Sequence, residues 1–260
     1  MGDAAVEFLA FGFKQLRACI FVILLFSAVF LLPRGGLGPV PRYDLLLIIA
    51  IVIQGAMVAL HLETLDELKA VCLFHVLGFA LEVFKTSPGI GSWAYPDPGY
   101  TKLFGVPLFS GFMYAAVASY MIQAWRLFAL KVRHHPPYWM TWLLAAAIYV
   151  NFFLNHYIGD FRWYLIAFTL GLYARASVTY GPREHRRRMP LLLSFILIGF
   201  FIWLAENIGT FMGVWRYPHQ IGVWATVHLG KWSSWSLMTI MTFAIVANLK
   251  HIKAHIHIPE

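Results

Sequence analysis

The chain has 260 residues, of which 60% are hydrophobic and only 12% are charged, and its formal net charge is +8. This composition excludes an ordinary soluble domain, in which about a quarter of the residues carry a charge. It indicates a membrane protein, whose basic residues are expected to follow membrane topology and not to bind nucleic acid.

Apolar runs near the length of about 20 residues that a helix needs to cross hydrocarbon occur along the whole chain. They predict an all-α, polytopic membrane helix bundle that forms a single integral membrane domain over residues 1–260. We predict about eight transmembrane helices, at residues 16–33, 43–61, 66–85, 107–131, 139–158, 161–180, 190–208 and 223–249.

Lys and Arg are concentrated in alternate loops between these predicted spans. The positive-inside rule assigns such loops to the cytoplasm, so both termini are expected on the cytoplasmic side of a multi-pass protein. The basic run REHRRR at 183–188 is interpreted as a topology anchor beside anionic lipid.

Two similar segments begin in the last turns of the third and the seventh predicted span and continue into the loops that follow. They are LEVFKTSPGIGSWAYP at 81–96, here the first cassette, and AENIGTFMGVWRYP at 205–218, the second cassette. Their similarity predicts a parallel internal repeat of four plus four spans, with halves 1–135 and 136–260 and two outer-side loops rich in Gly, Trp, Tyr and Pro. Chance similarity is the alternative. The matched pairs, 124 and then 122 residues apart, are Glu82/Glu206, Thr86/Thr210, Gly89/Gly213, Trp93/Trp215, Tyr95/Tyr217 and Pro96/Pro218.

Ionisable and amide side chains are predicted at the outer ends of four spans. His156 and Asp160 are four residues apart, and His228 and Lys231 are three apart, spacings that place each pair on one helical face. Because an ionisable group in hydrocarbon costs several kcal/mol unless it is paired or hydrated, we expect a shared polar chamber. Its predicted residues are Glu82, Lys85, Asn155, His156, Asp160, Glu206, Asn207, His228 and Lys231.

Four aromatic residues of the cassettes, Trp93, Tyr95, Trp215 and Tyr217, have two interpretations. Aromatic residues near span ends commonly form an interfacial belt. Their matched setting in two loops equally favours a paired aromatic lid over a ligand, whose ring faces would suit an apolar chain or a transient cation.

No cofactor is predicted from the sequence. The alternative is a metal ion, since histidine and carboxylate ligands together suit zinc or iron. The residues that would hold it are His156, Asp160, Glu82, Glu206 and His228.

Several motifs resemble those of the bacterial YoaT-type family of integral membrane proteins, a domain-of-unknown-function family. They extend over nearly the whole chain and read GSWAYP, LFGVPLFSGFMYAAVASY, NFFLNHYIGDFR and WLAENIGTFMGVWRYP. The resemblance implies the inner (cytoplasmic) membrane of a bacterium and no particular activity. In layout the chain is also similar to membrane carotenoid hydratases, where a carboxylate ends a span and a Gly- and aromatic-rich loop leads to Gly-Val-Pro. The matching positions are Glu82, Gly89, Trp93, Tyr95 and 105–107, and the surrounding residues depart from that layout.

These patterns favour a membrane enzyme that hydrates or isomerises a lipidic or isoprenoid substrate by acid–base chemistry. Its partners would be membrane lipids and a hydrophobic small molecule; a protein partner cannot be read from the sequence. The predicted catalytic residues are Glu82, Glu206, His156 and Asp160, and the predicted substrate contacts are Trp93, Tyr95, Trp215, Tyr217, Lys85, Asn155, Asn207, His228 and Lys231. One glutamate would donate the proton, and the other, or His156 with Asp160, would position water.

Three alternatives remain at this stage. The first is a secondary transporter or proton-coupled carrier, because duplicated halves with buried ionisable groups are typical of that class. The second is a membrane helper or sensor subunit. The third is a structural plug, in which Glu82 pairs with Lys231 or Lys85 pairs with Glu206 and the ions only lock the helices.

Overall fold

Helices account for most of the structure, a computed structural model that describes residues 3–256. Each of the eight predicted spans overlaps one helix, and one further helix precedes them. The helices of the described residues are α1 (Asp3–Ala18), α2 (Ile20–Leu31), α3 (Arg42–Ala59), α4 (Leu65–Thr86), α5 (Ser110–Leu127), α6 (Tyr138–Leu154), α7 (Arg162–Tyr173), α8 (Leu191–Phe211) and α9 (Gly230–Ile256).

Short strands also occur, which the all-α prediction did not include. They are β1 (Lys102–Leu103), β2 (Val106–Pro107), β3 (Lys131–Arg133), β4 (Ser177–Tyr180) and β5 (Arg187–Pro190). β1 pairs with β2, and β3, β4 and β5 form an antiparallel sheet in that order. The basic run at 183–188 therefore ends inside β5, an edge strand, where exposed arginines discourage pairing with another chain.

Within residues 3–256, three helices are long and apolar enough to cross a membrane: α3, α8 and α9 over Gly230–His251. A fourth span results if α1 and α2, which follow each other after a short break, count as one. α6 is apolar but shorter, with 17 residues. A few apolar helices of this kind indicate association with a membrane.

Two predicted helix ends are wrong, and they change the setting of four candidate residues. α6 ends at Leu154 with Asn155 as its C-cap, and Gly159 then turns the chain at φ 105°. His156 and Asp160 therefore lie beyond the helix and form no stripe on its face. α9 begins at Gly230, so His228 precedes it and shares no helical face with Lys231.

The chain divides into two compact units. The first contains Met1–Ala18, Met121–Ile202 and Gly230–Glu260, and the second contains Cys19–Tyr120 and Trp203–Leu229. In the first unit α6 packs on α9, and buried Asn248 donates a hydrogen bond to the Thr141 hydroxyl at 3.2 Å.

The second unit contains both cassettes. α2 packs on α3, and a hydrophobic core gathers side chains from α2, α3, β2 and the two cassette loops. α4 begins with a capping box, in which the Thr64 side chain accepts from the Glu67 amide and the Glu67 carboxylate accepts from the Thr64 amide. Such a cap fixes where the helix begins and therefore where Glu82, five turns later, is buried.

Candidate functional site

The carboxylate of Glu82 is buried near the end of α4 and is only 3% exposed. Its Oε2 accepts hydrogen bonds from Trp93 Nε1 at 2.7 Å and from the Tyr95 hydroxyl at 2.9 Å. Its Oε1 accepts from the Tyr114 hydroxyl of α5 at 2.8 Å. Both oxygens thus act as acceptors for neutral donors, which is how a carboxylate is kept in a buried place.

Glu206 has the matching position near the end of α8 and is 4% exposed. Its Oε1 accepts a hydrogen bond from the Tyr217 hydroxyl at 2.5 Å. In each cassette the tyrosine of the Trp-x-Tyr-Pro motif therefore turns back to the glutamate of the preceding helix. Tyr95 and Tyr217 are both buried, and both bind a carboxylate, an arrangement that differs from an interfacial aromatic belt.

The two cassettes contact each other directly. Ala94 and Arg216, which are matched positions, form an antiparallel bridge with two backbone hydrogen bonds of 2.9 Å. The Trp93 and Tyr217 rings meet edge to face with centroids 5.9 Å apart. A continuous path therefore runs from Glu82 through Trp93 and Tyr217 to Glu206. We call Glu82, Trp93, Tyr95, Tyr114, Glu206 and Tyr217 the paired-glutamate site.

The start of α3 holds both cassette loops in place, a role that the sequence did not reveal. Arg42 donates to the Met212 carbonyl at 2.9 Å, and the Tyr43 hydroxyl donates to the Val214 carbonyl at 2.8 Å. The Asp44 carboxylate accepts from the Tyr100 and Thr101 amides at 2.9 and 2.8 Å. Three consecutive residues thus fix the loops that follow α4 and α8.

Burial raises the pKa of the Tyr95 and Tyr217 hydroxyls well above the ordinary tyrosine value, and neighbouring carboxylates add to the effect. Charge repulsion from a nearby carboxylate disfavours the phenolate. The field of Glu82 reaches Tyr217 as well as Tyr95, in keeping with one shared site. Both hydroxyls therefore stay protonated at physiological pH and remain donors to their carboxylates.

Two helix glycines make room for the aromatic rings of the site. A Cβ at Gly78 would lie 2.4 Å from Cγ of Tyr114, and a Cβ at Gly209 would lie 2.3 Å from the Trp215 ring. Real Cβ atoms do not come this close to a ring, so any other residue at these positions must displace it.

The substitution Gly78→Ala is expected to push Tyr114 away from Glu82 and to lower the apparent Tm in detergent by roughly 2–10 °C, since overpacking costs about 1–3 kcal/mol. Gly55→Ala is the matched control, because Gly55 also lies inside a helix and a Cβ there would have nothing within 4 Å. The control should be neutral or slightly stabilising. Equal melting temperatures for the two variants would contradict the assigned packing.

The other predicted residues of the second unit lie around this site. Lys85 is 6% exposed and lies one turn after Glu82 on α4, and Trp215 is buried against Gly209. The Asn207 side chain accepts from the Val227 amide at 2.9 Å, which ties the second loop to α8. His228 is exposed.

Four predicted residues belong to the first unit: Asn155, His156, Asp160 and Lys231. His156 and Asp160 are exposed, and Asp160 forms an ion pair of 3.0 Å with Arg162. Within the part of the chain that the structure describes, no three His, Cys, Asp or Glu side chains gather into a group suited to a metal ion.

Two buried polar residues of the second unit escaped the sequence analysis. In the sequence, Tyr114 looks like any other aromatic residue of an apolar span. The one signal is that its hydroxyl, in the apolar motif GFMYAA, needs a hydrogen-bond partner. Glu63 is 2% exposed and accepts hydrogen bonds from Gln54 Nε2, at 2.5 Å, and from the Ser119 hydroxyl. Its place in a loop between two spans gave no sign of burial.

Fold and site together define a mostly helical membrane-type protein in which two buried glutamates are bound by the aromatic residues of two similar loops. The chain belongs to the family described as protein of unknown function DUF817, which matches residues 7–243. It is 50% identical over 250 residues to the uncharacterized protein YoaT of Bacillus subtilis (strain 168), covering 96% of this chain and 94% of that protein. No solved structure matches the chain.

Proposed function

We propose that the paired-glutamate site is the active site of a membrane enzyme that hydrates or isomerises a carbon–carbon double bond of a lipidic or isoprenoid substrate. The observation that carries this proposal is the joining of two buried carboxyl groups through Trp93 and Tyr217. Two carboxyl groups in different surroundings are a recurrent way to provide both an acid and a base.

The proposed chemistry needs two different roles, an acid and a base, from the two glutamates. Both oxygens of Glu82 accept hydrogen bonds, one of them from Trp93 Nε1, which can only donate. Glu82 is therefore assigned as the base. Glu206, which accepts from Tyr217, is assigned as the acid.

The reaction begins with transfer of a proton from the Glu206 carboxyl to one carbon of the double bond, whose electron pair forms the new C–H bond. The neighbouring carbon becomes a carbocation, which the faces of Trp93 and Tyr217 stabilise. In hydration, water attacks the cation and Glu82 takes the released proton. In isomerisation, Glu82 takes a proton from an adjacent carbon and the double bond forms there. Return of the proton from Glu82 to Glu206 completes the cycle.

Mass spectrometry of extracted lipids tests this proposal. Cells that overproduce the protein should contain a lipid that differs by one water, or an isomer, from its counterpart in cells that lack the protein. Cells that overproduce the Glu206→Gln protein at the same level are the control. Their lipid profile should match that of cells that lack the protein. Identical lipid profiles in all three strains would refute the proposed chemistry.

The proposal includes the finer topology expected from the sequence. We propose a multi-pass protein of the bacterial inner membrane with eight spans, α2 to α9, in a four plus four repeat and with both termini in the cytoplasm. The pairing of Ala94 with Arg216 supports the repeat, because matched positions pair with each other when two copies are related by a local two-fold axis. Cysteine labelling of single loops from each side of the membrane tests the orientation.

A proton-coupled carrier is the second candidate function, and Glu63 favours it. Glu63 precedes α4, whereas Glu82 lies near its other end, so that buried carboxyl groups flank one helix. Acidic residues distributed in this way are typical of proton relays. Uptake into proteoliposomes that depends on a pH gradient, and that Glu63→Gln abolishes, would favour transport over the enzyme.

A further inference from the structure

A cavity of about 130 Å³ lies in the second unit beside the second cassette. Arg34 and Arg216 line it, and both residues are exposed. Phe211 and Trp224 form an aromatic wall, with ring centroids 5.3 Å apart. None of the described residues that line the cavity is acidic, so it combines two positively charged residues with two aromatic ones.

Two lining glycines keep space open beside the charges. Gly213 and Gly222 have φ of 72° and 93°, a left-handed conformation that strains other residues. A Cβ at Gly213 would lie 3.6 Å from Cζ of Arg34, and it would fill the cavity next to that guanidinium.

Hydrogen bonds to the end of α8 do not account for the presence of both arginines at the cavity. Arg34 Nη2 donates to the Phe211 carbonyl at 3.3 Å, which engages one of its five donors. Among the described residues, none accepts a hydrogen bond from the Arg216 guanidinium. Two like charges at one cavity repel each other, and an anion between them converts that repulsion into attraction.

We propose that this cavity binds the phosphate or diphosphate headgroup of an amphiphilic lipid. The guanidinium fork matches two phosphate oxygens at once, which makes arginine well suited to such groups. The Phe211 and Trp224 rings would contact the first carbons of the lipid chain.

The cavity lies at the end of α8, close to Glu206, and we therefore take the bound lipid to be the substrate of the paired-glutamate site. This inference rests on the proposed function. Thr210 lines the cavity and lies four residues after Glu206. Four residues of α-helix rise about 6 Å, so a headgroup held beside Thr210 places the next few carbons near the Glu206 carboxyl. The reacting double bond is therefore expected close to the headgroup.

Binding of farnesyl diphosphate and of inorganic diphosphate to the full-length protein in neutral detergent tests the site. Farnesyl diphosphate is expected to bind, with an affinity that falls as salt is added because the arginines are exposed. Arg34→Gln and Arg216→Gln should each weaken binding by about tenfold or more. Arg175→Gln is the control, since Arg175 is exposed outside the cavity, and it should leave the affinity unchanged.

Each result decides a separate point. Inorganic diphosphate that binds as tightly as farnesyl diphosphate would support a free phosphate ligand and overturn the lipid assignment. Absence of binding, or an equal loss in the Arg175 variant, would overturn the site. The measurement needs no turnover, so binding that depends on both cavity arginines while the cellular lipids stay unchanged would uphold the cavity and refute only the proposed chemistry.

Discussion

Replacing either glutamate of the paired-glutamate site by glutamine is expected to abolish function and to leave the amount of folded protein unchanged. Glutamine keeps the shape of the side chain and its ability to accept a hydrogen bond from tyrosine, but it cannot exchange a proton. Glu206 supplies one proton in the proposed reaction and Glu82 removes another. The reaction rate of each single variant should therefore fall by about a hundredfold to ten-thousandfold.

The double variant, Glu82→Gln with Glu206→Gln, should be hardly worse than either single one. Residues that act as one catalytic unit are strongly non-additive, because removal of one already stops the step that needs both. Glu184→Gln is the matched control, since Glu184 is exposed and the change in charge is the same. It should retain full activity.

A purely structural role for the two glutamates predicts a different pattern. Loss of one partner of a buried network lowers stability, because the remaining partners stay buried without their bonds. Melting temperatures of the wild type, both single variants and the double variant, measured beside lipid turnover, separate the cases. Single variants that melt much earlier and yield little folded protein would reject the catalytic assignment.

The second large effect is expected on stability, from Arg42→Met. Arg42 is 1% exposed and donates hydrogen bonds to the carbonyls of Met212 at 2.9 Å and Val29 at 2.6 Å. Methionine keeps much of the buried volume but leaves both carbonyls without their donor. Because each such carbonyl costs about 1–3 kcal/mol, the free energy of unfolding should fall by roughly 2–6 kcal/mol.

Arg34→Met provides the comparison, because Arg34 binds the neighbouring Phe211 carbonyl from an exposed position. Water can replace an exposed donor, so this variant should lose about 1 kcal/mol or less. Thermal unfolding in detergent measures both. If the two methionine variants melted together, the buried contacts of Arg42 would not be what holds the cassette loops.

The local parts of the site were predictable from the sequence because few residues separate them. Glu82 and Tyr95, like Glu206 and Tyr217, lie at the end of one helix and in the loop directly after it. A repeated motif of glutamate followed by Trp-x-Tyr-Pro therefore indicates which side chains meet. The apolar runs likewise predict a helix at each of the eight positions, since the length of an apolar run is enough to indicate a helix.

The long-range parts were not predictable. No sequence motif marks Arg42, and its burial depends on carbonyls of Val29 and Met212, which only the folded chain brings together. His156 was placed on a helical face by extending the period of α6, but the helix stops at Leu154. Helix ends depend on capping and on turn residues such as Gly159, whose effect a hydrophobicity pattern does not contain.

The bridge between Ala94 and Arg216 also has a consequence for the order of events during synthesis. It joins residues 122 positions apart, so the first cassette must leave the ribosome well before its partner exists. At about 5–20 residues per second, the delay is roughly 6–24 s. During that time Trp93 and Ala94 lack their partners in the second cassette. The aromatic donors to Glu82 all belong to the first half, so its carboxylate can be bonded before the second cassette exists.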